Sequence, residues 1–263
     1  MPITKIIKYP GTKNTLIPLI KKVFVETGAS VLIDVFGGSG AVCLNVDASQ
    51  TVYNDLNKEI FNLFKVIKSR PNNFLQVARK WTSSRDQFNG YYKMVSSGKM
   101  NVQDEVQSAF RTFYKFNVGF GGMGSTYRTK KEKSAYSTVL KILSNYSDIS
   151  SRISKWTIEN LDFRELMRKY HAENVFFYLD PPYTSKSWYD VDFNIRALED
   201  LKKLTGVIRG KYLCTFDFKD ENSKEVFGEP NHVVRFVNQN KQKKYPQVFR
   251  DYSLYYNAVV KFE

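Results

Sequence analysis

The stretch VLIDVFGGSG, residues 31–40, decides the fold class. It is apolar up to residue 36 apart from Asp34, which predicts a buried strand, and the glycines of Gly37–Gly40 predict a turn that leads into a helix. A second short strand is expected over residues 51–53, and a second helix is expected from Asn57. The order strand, glycine turn, helix, strand, helix is the beginning of a parallel α/β sheet.

The α/β alternation breaks in the middle of the chain. Residues 71–151 are helical in pattern, polar and rich in aromatic side chains, so we expect an inserted domain between two parts of an α/β core, residues 1–70 and 152–263. Within this insert the four glycines of Phe113–Gly124 predict a loop, and the basic run Arg128–Lys133 follows it. Further strands are predicted over residues 175–180, 211–216, 233–237 and 253–262.

The composition narrows the class of partner. Lys and Arg number 40 against 26 Asp and Glu, so the net charge is +14. This excess of positive charge predicts a polyanionic partner, and nucleic acid is the first candidate. The alternative is a basic surface that is only solvated and binds no partner. Cys43 and Cys214 lie in apolar segments and the chain has two histidines, so we expect reduced thiols and no metal site. The lack of a long apolar run or a signal peptide predicts a cytoplasmic protein.

Acidic residues accompany the glycine turn. Asp34 lies inside the first strand and Asp55 closes the second, where a carboxylate can accept hydrogen bonds from ribose hydroxyls. The segment Gly37–Ala41 contains no lysine, so it is not a Walker loop and triphosphate chemistry is not expected. The turn alone leaves three possibilities open, namely NAD, S-adenosylmethionine or an ordinary strand-to-helix connection.

The sequence YLDPPY, residues 178–183, closes another predicted strand. A proline disfavours the helical conformation of the residue before it, so Asp180 and Pro181 are expected to be extended. The Asp180 carboxylate and the Pro181 carbonyl then offer two fixed acceptors beside the ring of Tyr183. Two acceptors and a ring suit a planar base with an amino group, because accepting both N–H hydrogens favours a nitrogen whose lone pair is free to attack a methyl group. The alternative is a rigid turn with a capping aspartate.

These motifs resemble those of the amino-group DNA methyltransferases, and among them the adenine-N6 enzymes related to the Dam methylase. Asp180-Pro181-Pro182-Tyr183 looks like the catalytic motif of that family, and residues 34–40 look like its cofactor motif. Lys8–Lys13 is similar to the N-terminal motif that packs on the methionine end of the cofactor. Asn54-Asp55 matches the ribose-binding acid, and Asp162-Phe163 is similar to the pair that borders the cofactor adenine. The five matches follow the family's order.

The resemblance implies a fold, a cofactor and a substrate. The fold would be a Rossmann-like core with a mainly helical DNA-recognition insert, and the reaction would be methyl transfer from S-adenosyl-L-methionine to adenine N6 of a base flipped out of double-stranded DNA. The catalytic residues would be Asp180, Pro181, Pro182 and Tyr183. The cofactor-binding residues would be Lys8, Tyr9, Pro10, Gly11, Lys13, Asp34, Phe36, Gly37, Gly38, Ser39, Gly40, Asp55, Asp162 and Phe163. The DNA-binding residues would be Phe116, Asn117, Arg128, Lys130 and Lys131, with residues 113–122 as a loop that enters the duplex.

Other functions share these features. Cytosine N4, RNA and a glutamine amide each present a nitrogen that the same motif can hold. A DNA-binding relative without activity and an NAD oxidoreductase belong to different classes. The insert has no one-to-one match to the residues that read bases in Dam-related enzymes, so no recognition sequence is predicted. In a restriction–modification system of a bacterium or phage, the partner would be a cognate restriction endonuclease that acts separately.

Overall fold

A computed structural model of the 263-residue chain describes residues 5–9, 11, 13–96, 104–119, 132–182, 193–238 and 248–258. The strands are β1 (Val31–Asp34), β2 (Gln50–Asn54), β3 (Thr157–Glu159), β4 (Val175–Leu179), β5 (Lys211–Asp217), β6 (His232–Asn238) and β7 (Val248–Tyr256). They form one seven-stranded sheet in the order β3-β2-β1-β4-β5-β7-β6. The predicted α/β class is confirmed.

The helices of the described residues alternate with the strands at both ends of the chain and follow one another in its middle. They are α1 (Ile17–Glu26), α2 (Ala41–Asn45), α3 (Lys58–Ser69), α4 (Pro71–Thr82), α5 (Arg85–Ser96), α6 (Glu105–Val118), α7 (Glu132–Ser144), α8 (Tyr146–Ile153), α9 (Phe163–Lys169), α10 (Ile195–Val207) and α11 (Glu221–Phe227). None of these described helices is long and apolar enough to cross a membrane.

Polar side chains define the starts of several helices. The Asn57 side chain accepts hydrogen bonds from the backbone N–H groups of Glu59 and Ile60 at the start of α3. Such a cap stabilises a helix by about 1 kcal/mol, because it satisfies N–H groups that have no partner within the helix. Asp104 on α6, Asp162 on α9 and Asn194 on α10 cap their helices in the same way.

The register of the sheet places two strand ends side by side. Strand β4 lies between β1 and β5 and is parallel to both, whereas β7 is antiparallel to β5 and β6. Asp34, the last residue of β1, is opposite Tyr178, the residue before the end of β4. Ligands of parallel α/β sheets bind outside the carboxyl ends of the strands, so this edge is where a site is expected.

The chain divides into two compact units. Unit 1 comprises residues 1–14, 37–45 and 53–160, and unit 2 comprises residues 15–36, 46–52 and 161–263. The insert predicted over residues 71–151 lies within unit 1 and contains no strand among its described residues. The domain boundaries drawn from the sequence remain a prediction.

The core of unit 2 covers both faces of its strands. Successive strand residues point to opposite faces, so Phe177 and Phe176 of β4 enter different layers. Phe176 contacts Phe24 of α1, with ring centroids 5.7 Å apart. On the other face a buried cluster joins β1, β4 and β5 to α9 and α10, and it includes Ile33, Leu166, Phe177, Leu179, Leu198, Leu201 and Cys214. Both faces of the central strands β1 and β4 are therefore buried.

The core of unit 1 is aromatic. Phe113 of α6 contacts Phe74 of α4 with ring centroids 5.6 Å apart, and Tyr91 of α5 lies 5.0 Å from Phe110 of α6. Pairs of this kind contribute about 0.5–1.5 kcal/mol beyond their buried area. The aromatic content of the middle section therefore belongs largely to a helical core.

The structure corrects two predicted boundaries. The loop expected from Phe113 is wrong for residues 113–118, because α6 continues to Val118. The last strand was expected from Ser253 but begins at Val248, because its first residues pair with β6. Cys43 and Cys214 are both buried, as the apolar segments around them predict.

Candidate active site

The glycine turn after β1 is held by backbone hydrogen bonds within unit 1. The Gly37 N–H donates to the Asn54 carbonyl at 2.7 Å, and the Gly40 N–H donates to the Gly37 carbonyl at 2.9 Å. Gly38 and Gly40 have positive φ angles of 47° and 69°. A Cβ on Gly38 would lie 2.9 Å from the Tyr9 ring, so both the backbone angle and the close approach require glycine there.

Asp55 closes the turn from the end of β2. One carboxylate oxygen accepts from the Gly38 N–H and the other accepts from the Asn57 N–H, both at 2.8 Å. The side chain is buried, and this desolvation raises the pKa of Asp55 to about 6, although the two hydrogen bonds act in the opposite direction. Each carboxylate oxygen has two lone pairs, so Asp55 retains acceptor capacity beyond these two bonds.

The N-terminal motif also lies in unit 1. The Tyr9 ring contacts Gly38 and lies 5.3 Å from the Phe116 ring. Lys8 Nζ donates to the Asn117 carbonyl at 3.3 Å, and the nearly buried Lys13 donates to the Gly11 carbonyl at 3.1 Å. Pro10 lies outside the described residues. The motif is thus fixed to the glycine turn and to the end of α6.

Phe116 and Asn117 occupy buried positions in the last turn of α6. The Asn117 side-chain amide donates to the carbonyls of Ile6 and Phe113 at 3.1 and 2.9 Å. These contacts hold the N-terminal segment and leave neither side chain at the surface, so DNA contact by Phe116 and Asn117 stays a prediction. The predicted DNA-binding residues Arg128, Lys130 and Lys131 lie outside the described residues.

Three aromatic rings lie together in unit 2. Phe36, Phe163 and Phe193 form a triangle in which each pair of ring centroids is 5.8 Å apart. Phe36 is only partly buried although its neighbours belong to the core. An aromatic surface of this size suits a planar apolar ring. Phe193 belongs to none of the sequence motifs, and its contacts with Phe36 and Phe163 are evident only from the structure.

Arg164 fixes the carboxylate of Asp162. Its guanidinium donates to the two Asp162 oxygens at 3.2 and 3.0 Å and to Asp200 on α10 at 2.8 Å. The same guanidinium lies 4.4 Å from the centroid of the Phe163 ring. This hydrogen bond from Arg164 holds the pKa of the Asp200 carboxyl below its ordinary value. Arg164 belongs to none of the motifs in the sequence, and its position directly after Asp162-Phe163 is the signal that could have identified it.

Asp180 follows the last residue of β4 and is half-buried, and Pro181 after it is buried. Two residues earlier, the Tyr178 hydroxyl makes a buried hydrogen bond of 3.0 Å with the Thr215 hydroxyl of β5. Burial, and then the negative charge of Asp180, raise the pKa of Tyr178 well above its ordinary value, so Tyr178 is a neutral phenol. Tyr183 lies outside the described residues.

Comparison with known proteins decides the family. Residues 9–211 match the sequence model of a family described as D12 class N6 adenine-specific DNA methyltransferase. The chain belongs to this family. The matched range contains the glycine turn, Asp55, Asp162-Phe163 and the Asp180-Pro181-Pro182-Tyr183 motif, so the resemblance to adenine-N6 enzymes is confirmed at the level of the family.

Several relatives of this D12-class chain carry names of the same kind. It is 25% identical over 190 residues to the Type II methyltransferase M1.LlaDCHI of Lactococcus lactis subsp. cremoris, which is 67% of this chain and 64% of the relative. It is 25% identical over 198 residues to the Modification methylase StsI of Streptococcus sanguinis, covering 70% of this chain and 29% of the relative. It is 26% identical over 118 residues to the DNA adenine methylase of Salmonella typhimurium, covering 44% of this chain and 41% of the relative. Less than two thirds of each of these relatives is covered.

Proposed function

We propose that this D12-class chain transfers a methyl group from S-adenosyl-L-methionine to adenine N6 in double-stranded DNA. The observation that carries the proposal is the family match over residues 9–211, which contains both the glycine motif and the Asp-Pro-Pro-Tyr motif. Names of relatives such as DNA adenine methylase support it. The activity, the cofactor, the DNA substrate and the roles of single residues below are parts of the proposal.

The residues of unit 1 fit a ribose and an amino-acid tail. Asp55 keeps acceptor capacity for ribose hydroxyls while it holds the Gly38 N–H. Gly38 has a positive φ angle and no side chain, which lets the turn pass close to the Tyr9 ring of the N-terminal motif. We assign the methionine end of the cofactor to the N-terminal motif, Lys8 to Lys13, because the family's corresponding motif packs there. Ser39 and Gly40 complete the turn.

The residues of unit 2 fit a purine. The partly exposed Phe36 ring, which packs against Phe163 and Phe193, offers an apolar contact surface, and the carboxylate of Asp162 is oriented by Arg164. A carboxylate beside an aromatic surface suits an adenine, because its exocyclic amine donates hydrogen bonds while its ring stacks. Asp34 at the end of β1 is buried and belongs to the same proposed set.

The catalytic motif would act on the target amine. S-adenosyl-L-methionine, when bound, supplies an electrophilic methyl group on a sulfonium. The Asp180 carboxylate and the Pro181 carbonyl accept the two N–H hydrogens, which localises the nitrogen lone pair, and both bonds strengthen as the nitrogen becomes positive. The extra proton on the methylated nitrogen can then pass to the Asp180 carboxylate or to water. Pro182 keeps the turn rigid and Tyr183 stacks on the base.

Access to this amine requires the base to leave the duplex. Unstacking a base costs a few kcal/mol, which contacts to the DNA must offset. The net charge of +14 supports backbone binding of this kind. We assign the contacts to the insert, with Arg128, Lys130 and Lys131 near phosphates.

The test is methyl transfer from labelled S-adenosylmethionine to unmethylated genomic DNA, followed by nucleoside analysis. We expect N6-methyladenine with the natural chain and a loss of at least about 100-fold with Asp180→Ala and with Asp180→Asn, because both variants lose the charged acceptor. Cofactor binding serves as the control and should persist in both variants, since Asp180 contacts the target amine. Single-molecule mapping of the modified adenines then yields the recognition sequence.

Each alternative has its own outcome. N4-methylcytosine in the product would replace adenine by cytosine as the target. Cofactor binding without transfer to any DNA would direct the search to RNA or to a protein amide. A chain that binds DNA but not S-adenosylmethionine would be an inactive relative, and binding of NAD would support an oxidoreductase.

A separate restriction endonuclease remains the proposed partner. The names Type II methyltransferase and Modification methylase of two relatives support this assignment. The mapped recognition sequence tests it, because a cognate endonuclease would cut unmethylated DNA at that sequence and leave methylated DNA intact.

A further inference from the structure

Tyr53 contacts the glycine turn, Gly37–Gly40, within unit 1. It is fully buried in β2, and Asp55 follows the last residue of this strand. The Tyr53 hydroxyl donates a hydrogen bond of 2.8 Å to the Gly38 carbonyl. Asp55 accepts from the N–H of the same residue at 2.8 Å. The carbonyl and the N–H of Gly38 are thus held by two side chains at the end of β2, those of Tyr53 and Asp55.

The ring of Tyr53 supports the turn by contact. A Cβ on Gly37 would overlap this ring, because the ring packs directly against the Gly37 backbone. Phe64 of α3 lies 4.2 Å from the Tyr53 ring centroid, and Trp156 lies 5.9 Å from it with an angle of 17° between the planes. The three rings form a buried aromatic cluster, and the backbone of the turn packs against its Tyr53 ring at Gly37.

We propose that Tyr53 is a positioning residue that orients the Gly37–Gly40 turn for the cofactor. This inference rests on the proposed function, since it assumes that the turn holds S-adenosylmethionine. The hydroxyl fixes the direction of the Gly38 carbonyl, while Asp55 fixes the N–H. A turn that is ordered before the cofactor binds loses less conformational entropy on binding, so the affinity for the cofactor is higher. Tyr53 therefore acts through the turn and touches no reacting atom.

The test removes a single oxygen. Tyr53→Phe keeps the ring contacts with Gly37, Phe64 and Trp156 and deletes the hydroxyl that donates to the Gly38 carbonyl. Tyr114→Phe is the matched control, because the buried Tyr114 hydroxyl also donates at 2.8 Å to a backbone carbonyl of unit 1, that of Phe88. The two variants lose equivalent hydrogen bonds, and only one of these bonds belongs to the turn.

We expect Tyr53→Phe to weaken binding of S-adenosylhomocysteine about 5-fold, measured by calorimetry, because one hydrogen bond that orders the site is lost. The KM for S-adenosylmethionine should rise by a similar factor, while kcat at saturating cofactor and the affinity for DNA stay within about 2-fold. Amide hydrogen exchange at Gly40, which reports on the turn, should become faster. Tyr114→Phe should lower the melting temperature by a similar amount and leave all cofactor parameters unchanged.

Three results would overturn the inference. Equal cofactor affinities of Tyr53→Phe and the natural chain would remove the role of the hydroxyl. Equal losses in Tyr53→Phe and Tyr114→Phe would reduce it to general stability, as would a Tyr53→Phe chain that fails to fold beside a folded Tyr114→Phe chain. Failure of the natural chain to bind S-adenosylhomocysteine would instead contradict the proposed function.

Discussion

At the scale of single residues, Asp55 combines two requirements that oppose each other. Its carboxylate is buried, which disfavours the charge, and yet the charge strengthens the hydrogen bonds from Gly38 and Asn57. The rise of its pKa from the ordinary value of 3.8 to about 6 shows that desolvation is the larger effect. Asp55 therefore titrates within a range that is easy to measure.

Cofactor affinity should depend on this titration. We expect the affinity for S-adenosylhomocysteine to fall as the pH decreases through about 6, because a protonated Asp55 is a poorer acceptor for ribose hydroxyls. Asp55→Asn should bind more weakly at neutral pH and lose this part of the pH dependence. Calorimetry between pH 5 and 8, a range set around that pKa of about 6, measures both affinities. Parallel pH profiles for the two chains would contradict the role of Asp55.

Stability should change in the opposite direction. The folded state holds the Asp55 proton more tightly than the unfolded state, so the stabilisation from protonation is complete below the unfolded pKa of 3.8 and is lost as the pH rises through about 6. The corresponding free energy is about 3 kcal/mol. Relative to the natural chain, Asp55→Asn should gain up to this amount between acidic and neutral pH. Urea unfolding at several pH values measures the difference, and a constant offset would refute the assignment.

At the scale of elements, the last turn of α6 anchors the N-terminal segment. Lys8 and Tyr9 contact α6 at Asn117 and Phe116, and Asn117 holds the Ile6 carbonyl. The Asn117 side-chain oxygen has no hydrogen-bond partner among the described residues. A buried amide with this geometry costs free energy unless its two donor bonds are maintained. The N-terminal motif therefore depends on the end of this helix.

Asn117→Ala should lower the free energy of unfolding by about 1–3 kcal/mol, because the carbonyls of Ile6 and Phe113 lose their donor in a buried place. Asn62→Ala is the matched control, since Asn62 donates to the Glu105 carbonyl at the surface and water can replace it. Its effect should be within about 0.5 kcal/mol. Denaturant unfolding measures the free energy of unfolding of both variants. Similar losses in the two variants would show that the hydrogen bonds of Asn117 contribute little to stability.

The same helix explains where prediction from sequence fails. The spacing i, i+3, i+4, i+7 of one helix face is present in α6, at Phe110, Phe113, Tyr114 and Asn117. The glycines that begin at Gly119 indicate a loop, and the start of this loop was predicted several residues too early. In β7 the charged Asp251, which accepts two hydrogen bonds of 2.8 Å from Arg235 of β6, interrupts the apolar pattern, so the sequence does not mark the start of this strand. The strands β1 and β4 were predictable because they are buried throughout.

The candidate site shows the same limit. Asp34, Asp55 and Asp180 were predicted as site residues because each acid ends or interrupts an apolar strand. Tyr53, Arg164 and Phe193 were not found, because aromatic and basic side chains next to a motif occur equally in ordinary cores and surfaces. Their positions depend on contacts between distant parts of the sequence, such as that of Tyr53 with Trp156.

At the scale of the whole molecule, chain order and sheet order are connected. The strand β4 comes late in the sequence but lies beside β1, so the chain leaves both strands at the same edge of the sheet. The glycine motif follows one strand end and Asp180 follows the other. This topology explains how residues about 140 positions apart in sequence can belong to one family motif set, as parallel sheets gather their functional residues at carboxyl ends.

The charge of the whole chain gives the last prediction. If the positive charge binds phosphates, Lys130 and Lys131 changed together to Ala should weaken DNA binding, and the slope of log K against log salt should become shallower by up to about 1.8, near 0.9 for each lost phosphate contact. Lys21 and Lys22, exposed on α1, changed together to Ala remove the same charge from the net +14 and serve as the control. Fluorescence anisotropy at several salt concentrations measures both slopes. A loss confined to the Lys130 and Lys131 variant would place those lysines at the DNA backbone, whereas equal slopes in both variants would mean that the charge acts only as a diffuse field over the surface.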